Sequence, residues 1–169
     1  AVEYGATFDI SNDSSTQKVV VNFVDEDNSI VGEEAFMNPA NSEEFTIGYY
    51  LSKDLGTFDL DFGFRLDQIE RSGSVSEEEH EDDHGDDHGD EHGDVDYYNI
   101  DDTTSSFAIT LGRDLSDNLG ISVGYASVER LPSSIELFMN GPHMATGRFE
   151  VGDPNINSET SNNFYITFN

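Results

Sequence analysis

Residues 58–67 read Phe-Asp-Leu-Asp-Phe-Gly-Phe-Arg-Leu-Asp, an unbroken alternation of large apolar residues with polar or small ones. Successive side chains of a β-strand point to opposite faces, so this stretch predicts a strand with one fully apolar face. Similar alternations occur at 4–10, 19–24, 45–52, 107–111, 119–125 and 164–168. Helical periodicity is convincing nowhere. The sequence therefore predicts an all-β fold with seven antiparallel strands.

The lengths of the connections refine this prediction. They alternate between short, at 11–17, 53–57 and 114–118, and long, at 25–44, 67–105 and 129–161. Short turns at one end and long loops at the other are typical of outer-membrane barrels, and tilted strands of ~9–11 residues span a bilayer. An antiparallel sandwich also has one apolar face per strand, but it gives no reason for the asymmetry. The pattern favours part of an up-and-down transmembrane β-barrel.

The composition limits the possible partners. The chain has 169 residues, about one domain, with 7 Lys and Arg against 36 Asp and Glu, for a formal charge of −29. This charge argues against nucleic acid and anionic membrane surfaces and favours cations. Cysteine is absent, so no disulfide or thiolate metal site is possible. There is no run of 18 apolar residues that would predict a transmembrane helix.

A repeat of histidine and acidic residues fills 77–96. Its histidines recur every fourth residue, and the candidate metal ligands are His80, His84, His88, His92, Asp82, Asp83, Asp86, Asp87, Asp90 and Glu91. Neutral imidazole binds zinc, copper and nickel, and carboxylates complete the shell. Apart from Val95 near its end, the stretch has no apolar residue to bury, so we expect a loosely ordered loop. It predicts capture of a divalent transition metal, the alternative being a solvated acidic loop with incidental histidines.

The last third of the chain carries more specific motifs. These are Arg130-Leu-Pro132-Ser133-Ser-Ile-Glu136-Leu, Gly141-Pro-His143 and Phe149-Glu-Val-Gly152-Asp-Pro-Asn-Ile156-Asn-Ser-Glu159-Thr-Ser-Asn162. Together they resemble the late-barrel signature of TonB-dependent outer-membrane receptors. Ile156 replaces a leucine of that signature, and Ser158 stands where proline is common. A second stretch, Gly32-Glu-Glu-Ala-Phe36 with Pro39, resembles the zinc-uptake (ZnuD-type) branch of these receptors, for which a His/Asp-rich extracellular loop is also typical.

The resemblance implies a larger protein than seven strands can form. Such receptors have a plug domain, a TonB box and a 22-stranded barrel. We therefore expect residues 1–169 to be part of that barrel, with the His/Asp-rich extracellular loop at 72–102 and without the plug. The implied location is the outer membrane of a Gram-negative bacterium, with the long loops extracellular. The implied partners are outer-membrane lipid and, through the plug and TonB box, the TonB energy-transducing complex.

The function implied is uptake of a divalent metal, with zinc as the transported ligand and copper or nickel as alternatives. Within the family, the competing interpretation is a haem or metal-chelate receptor. Outside the family, the alternative interpretation is a soluble metal-buffering β protein. No motif of a zinc protease, nucleophile elbow or phosphate loop occurs, so we expect neither an enzyme nor a catalytic cofactor.

We expect two kinds of role for residues of the signature itself. His143 is a candidate ligand of an ordered site with Glu136, Glu150 or Asp153, although Gly-Pro-His also serves as a turn element. Five residues are expected to hold the strand-to-loop corner through polar pairing and fixed proline geometry: Arg130, Pro132, Ser133, Glu136 and Glu159. Glu33 and Glu34 are either solvated charges or early metal contacts.

Overall fold

A computed structural model describes residues 1–32, 35–76, 95–143 and 147–168. Its main sheet contains β1 (Val2–Asp9), β2 (Ser15–Asn28), β3 (Ala40–Asp54), β4 (Asp59–Ser76), β5 (Val95–Ser116), β6 (Leu119–Arg130) and β9 (Glu159–Phe168). The helix α1 (Ser134–Phe138) and the hairpin strands β7 (Asn140–His143) and β8 (Arg148–Val151) lie between β6 and β9. The main sheet has the order β1-β2-β3-β4-β5-β6-β9, and every neighbour is antiparallel. This confirms the all-β, up-and-down prediction for seven strands, which form an open sheet.

The register collects the large apolar residues on one side of the sheet, here called the apolar face. Ile47 lies opposite Val21 and Leu66, and Phe64 lies opposite Tyr49 and Phe107. Directly opposed residues of antiparallel strands share a face. Ile47, Leu66, Phe64 and Phe107 remain exposed, Phe64 by 42% and Phe107 by 40%, and Val21 and Tyr49 are half-buried. A surface of this extent without a protein cover is unusual for a soluble monomer and expected for a lipid contact.

Charges delimit the apolar face. On β3 its first charged residues are Glu43 at the end with the long connections and Lys53 at the end with the short turns. Ten residues of antiparallel strand span roughly 33 Å, or about 25 Å in height at a tilt near 40°. That height matches the apolar band of outer-membrane barrels. The sheet therefore has the dimensions of a bilayer-spanning wall.

The opposite side, here called the polar face, carries the only buried apolar cluster identified in the described residues. Met37, Ala40, Leu137 and Phe138 are at most 5% exposed, with Ile30, Phe36, Val75, Tyr98 and Ile100 packed around them. Phe138 lies against Gly73 of β4 and stacks on Tyr98, with 6.4 Å between ring centroids. Two long connections thus fold together onto the polar face. We call residues 35–39 and 131–142 the shelf.

The structure differs from the sequence-based expectation mainly in the long connections. The loop predicted at 72–102 is shorter, because β4 continues to Ser76 and β5 begins at Val95. Ser72, Gly73, Ser74 and Ser76 lack apolar alternation, but their backbones still pair with β5. The expectation of no helix missed α1, whose five residues are too few for periodicity to reveal. In the described part of the chain, no helix is both long and apolar enough to cross a membrane.

Candidate functional site

The polar face is strongly acidic. By register, the seven main-sheet strands place four basic residues on it: Lys18, Arg65, Arg71 and Arg130. They place twelve carboxylates there: Glu3, Asp9, Glu26, Glu44, Asp54, Asp59, Asp61, Asp67, Asp96, Asp102, Asp114 and Glu159. The resulting surplus of eight negative charges creates a potential that concentrates cations along this wall.

One of these carboxylates is buried and paired with other groups of the protein. Asp67 has no exposed side-chain surface and lies 2.7 Å from Nε of Arg65. Its Oδ1 accepts a hydrogen bond from the Thr46 hydroxyl at 2.7 Å, and its Oδ2 lies 3.5 Å from the Thr104 hydroxyl. A buried carboxylate with a cation and hydroxyl donors is satisfied where it stands. Asp67 therefore joins three strands and is not offered to a passing ion.

A second cluster of acidic residues lies on the apolar face. It is at the end of the sheet with the long connections, just beyond the apolar band. Four carboxylates are direct cross-strand neighbours there: Asp25, Glu43, Glu70 and Asp101. Amide groups of Asn41, Asn99 and Gln68 donate to Asp25, Glu70 and Asp101 at 2.9 Å. These amides reduce the local repulsion between like charges. Both faces at this end of the sheet are therefore negative.

The shelf meets the sheet at a three-way ion pair. Arg130, the last residue of β6, donates to both carboxylate oxygens of Glu136 in α1, at 2.8 and 3.0 Å. It also donates to Oε1 of Glu159, the first residue of β9, at 2.7 and 2.9 Å. The Glu136 carboxylate accepts from the Ser133 backbone N–H at 2.7 Å, completing a capping box. Arg130, Ser133, Glu136 and Glu159 thus make the corner pairing predicted for them.

This arrangement shifts the ionisation of Glu136. The Arg130 guanidinium, followed by the Ser133 backbone N–H, lowers the pKa of Glu136 to about 2. Glu136 is therefore ionised and occupied at neutral pH. This geometry argues against the expectation that it is a metal ligand beside His143.

Most of the residues predicted to bind metal lie outside the part of the chain that the structure describes. His80, His84, His88, His92 and the acidic residues between them fall in 77–94, which the structure does not describe. His143 lies in β7 opposite Arg148, but only its backbone is described. Across 1–32, 35–76, 95–142 and 147–168, no cluster of three or more His, Asp or Glu side chains has a geometry that could hold a metal ion.

The shelf is the part of this region that sequence reasoning missed. A signal for it was present, since Ser133-x-x-Glu136 is a capping box directly before the apolar pair Leu137-Phe138. That pattern predicts the start of a short helix with a buried face. Nothing in the local sequence indicates that Phe36 and Met37, a hundred residues earlier, pack against it.

The chain was compared with known protein families. The family model described as "TonB dependent receptor-like, beta-barrel" matches residues 3–169, which is nearly the whole chain. No solved structure matches the chain.

Proposed function

The chain belongs to the TonB-dependent receptors of the outer membrane, and we propose that its cargo is a divalent transition metal. Zinc is the first candidate, with copper and nickel as alternatives. In this proposal the long connections face the outside of a Gram-negative cell, and the metal passes inward along the polar face. Energy comes from the inner membrane through TonB, as in other members of the family.

The observation that carries this proposal is the charge of the polar face. In a family barrel the apolar face contacts lipid and the opposite face lines the lumen. Twelve carboxylates against four basic groups give that lumen wall a cation-attracting field. The carboxylates on the apolar face at the end with the long connections extend the same field to the entrance. A large anionic cargo would be repelled along this route.

The histidine run adds the preference for a transition metal. His80, His84, His88 and His92 alternate with carboxylates and glycines, and calcium or magnesium would not require imidazole. Many weak sites close together raise the effective concentration of metal near the entrance. We therefore assign 77–94 the role of a collector that feeds the lumen. Imidazole must be deprotonated to bind, so capture is lost as pH falls through the histidine pKa near ~6.5.

One feature favours a haem or metal-chelate cargo instead. A hollow of ≈ 390 Å³ opens on the polar face between β2 and β6, and most of its lining surface is apolar, with Thr46, Arg65 and Ser106 also bordering it. Its side chains include Val20, Tyr50, Ala108 and Val128, with Gly48 and Gly63 between them. Pockets of about 300–1,000 Å³ with apolar walls suit small organic ligands. This hollow is the reason to test haem beside the free metals.

The experiment is calorimetric titration of the receptor in detergent with zinc, copper, nickel and haem. It compares the wild type with a variant in which His80, His84, His88 and His92 are glutamine. This variant keeps the length and the carboxylates, so it separates imidazole binding from general attraction of cations. At pH 7.5 we expect several zinc equivalents on the wild type and the loss of most of them in the variant. At pH 5 the two proteins should bind zinc equally weakly.

Three results would change the proposal. Equal zinc binding by the two proteins at pH 7.5 would remove the collector role, and His143→Gln would be the next variant. Zinc affinity that is the same at pH 5 and 7.5 would exclude imidazole as the ligand. Haem binding without any response to zinc, copper or nickel would replace the metal ion by a chelate as the cargo.

A further inference from the structure

The shelf is built like a small folded core and unlike a surface loop. Leu137 and Phe138 have no exposed surface, and Met37 and Ala40 are each 5% exposed. Met37 forms a β-bridge with Met139, and the Phe36 carbonyl accepts a hydrogen bond from the Asn140 N–H at 2.7 Å. The two connections that form the shelf are separated by about a hundred residues of sequence. Their packing together therefore fixes each of them.

Three glycines show how closely the parts fit. A Cβ on Gly73 of β4 would meet the ring of Phe138, and one on Gly141 would lie 2.8 Å from Cα of Phe36. A Cβ on Gly152 would lie 2.7 Å from the carbonyl oxygen of Glu136. Contacts under 3.0 Å do not occur for real side chains, so each position requires glycine if the shelf stays in place. Two of these contacts involve α1 directly.

The shelf is also hydrogen-bonded to the wall at several points. The Asn38 amide donates to the hydroxyls of Ser74 and Ser76 in β4, at 3.1 and 3.0 Å. The Asn140 amide donates to the Ser76 carbonyl at 2.7 Å. On the other side, Arg130 joins α1 to the ends of β6 and β9. The shelf is thus anchored to three strands of the main sheet.

We propose that the shelf is a permanent constriction of the lumen entrance, which moves with the barrel wall and does not open as a lid. Cargo passes beside it, through an aperture whose width the shelf sets. The passage of cargo rests on the proposed function, but the fixed position of the shelf does not. Opening the shelf would expose four buried apolar side chains and break the anchors to β4, β6 and β9. A fixed aperture admits a small ion without any movement of this element.

A disulfide between the shelf and the wall tests this proposal. A Cβ on Gly73 would lie 2.8 Å from Cγ of Phe138. With a C–C bond of about 1.5 Å, the two Cβ atoms are at most about 4.3 Å apart, which suits a disulfide. Residues 1–169 contain no cysteine, so Gly73→Cys with Phe138→Cys gives one defined crosslink within them. Phe138→Cys alone serves as the control for the lost ring.

Zinc uptake is measured in cells carrying the oxidised double variant, the same variant after reduction, the Phe138→Cys control and the wild type. A fixed shelf predicts that the oxidised variant takes up zinc within about twofold of the wild type. A lid predicts at least a roughly tenfold loss on oxidation and recovery on reduction. That second pattern would overturn the proposal.

Hydrogen exchange of the wild-type receptor decides the question even if zinc is not the cargo. We expect backbone amides of 134–141 that bond within the shelf to exchange as slowly as those of β6, with or without zinc. Exchange of the shelf at least a hundredfold faster than that of β6 would show that it opens and would refute a permanent constriction. Absence of zinc uptake by the wild type together with slow exchange would refute the proposed cargo and leave the shelf proposal standing.

Discussion

The shelf and the apolar face contain the same kinds of side chain in opposite environments. Phe138 and Leu137 in the shelf have no exposed surface, whereas Phe64 and Phe107 on the apolar face are about 40% exposed. The shelf is a hydrophobic core like that of a water-soluble protein, because other parts of the protein cover its apolar side chains. The apolar face is completed only by lipid. One chain therefore meets two solvents, and its connections are better packed than its strands.

The difference implies different rules for substitutions in the two regions. In the shelf, volume and fit should decide the effect, since each side chain is enclosed by others. On the apolar face, polarity should decide, since lipid adapts to shape but not to charge. Matched pairs of variants, one in each region, separate these rules.

The largest effect is expected for Phe138→Ala. Removing a fully buried phenylalanine costs about 3–5 kcal/mol, and here the cost falls on docking of the shelf. The matched variant is Phe64→Ala on the apolar face, where no protein cavity forms. Native-state hydrogen exchange of residues 131–142 measures the free energy of shelf opening. Phe138→Ala should lower this free energy by several kcal/mol, and Phe64→Ala should leave it unchanged. A similar drop in both variants would contradict the division into two regions.

The second-largest effect is expected for a charge placed on the apolar face. Phe64→Arg places a charge near the middle of the apolar face, where it costs about 2–4 kcal/mol in a bilayer. Ser122→Arg is the control, because Ser122 lies on the polar face opposite Gly112 and Thr167. Folding of the receptor into lipid vesicles measures both. Only Phe64→Arg should destabilise the folded state, and equal costs would mean that the two faces are wrongly assigned.

A smaller effect distinguishes two glycines of the same strand and the same face. Gly73 has no room for a methyl group because the Phe138 ring lies against it, whereas Gly63 has no atom within 4 Å of its Cβ position. Overpacking costs about 1–3 kcal/mol, so Gly73→Ala should weaken shelf docking by that amount. Gly63→Ala should be neutral or slightly stabilising, since alanine narrows the unfolded ensemble. Hydrogen exchange of the shelf compares them, and equal effects would show that the shelf does not press on β4.

The contrast also explains what the sequence could predict. Period-two alternation revealed all seven strands of the main sheet, because each strand buries one face in a single medium. It did not reveal the extensions of β4 and β5 beyond the bilayer, where Ser72, Ser74 and Ser76 pair through the backbone alone. The Arg130 corner was predicted by family resemblance, and the structure shows its pairing with Glu136 and Glu159. The shelf was missed because its core joins residues distant in sequence.

The histidine ligands remain predictions from sequence alone. Residues 77–94 lie outside the described part of the chain, and the zinc titration tests them. Their expected behaviour with pH nevertheless gives a final comparison with the shelf, because the two regions titrate in different ranges.

The smallest expected effect is the pH dependence of the Arg130 corner. The pKa of Glu136 is lowered from its ordinary value of 4.5 to about 2. A carboxyl with a lowered pKa stabilises the folded state fully above its ordinary pKa, and this contribution disappears as pH falls toward the folded value. Shelf docking should therefore be constant from pH 8 to 5 and weaken between about 4.5 and 2. The loss should be about 1 kcal/mol, because the ion pair is half-exposed and water screens it.

Glu136→Gln isolates this contribution. Glutamine preserves the capping box with Ser133 but cannot pair ionically with Arg130. Hydrogen exchange of the shelf is measured at pH 7, 5 and 3 and corrected for intrinsic rates. Protection of the shelf amides should decrease at pH 3 in the wild type and change less in the variant. Parallel curves would assign the acid response to another carboxylate. Zinc capture by the histidine run should instead be lost between pH 7.5 and 5, where the shelf is constant. A receptor whose zinc binding and shelf docking weakened over the same pH range would have one coupled site in place of a collector beside a fixed constriction.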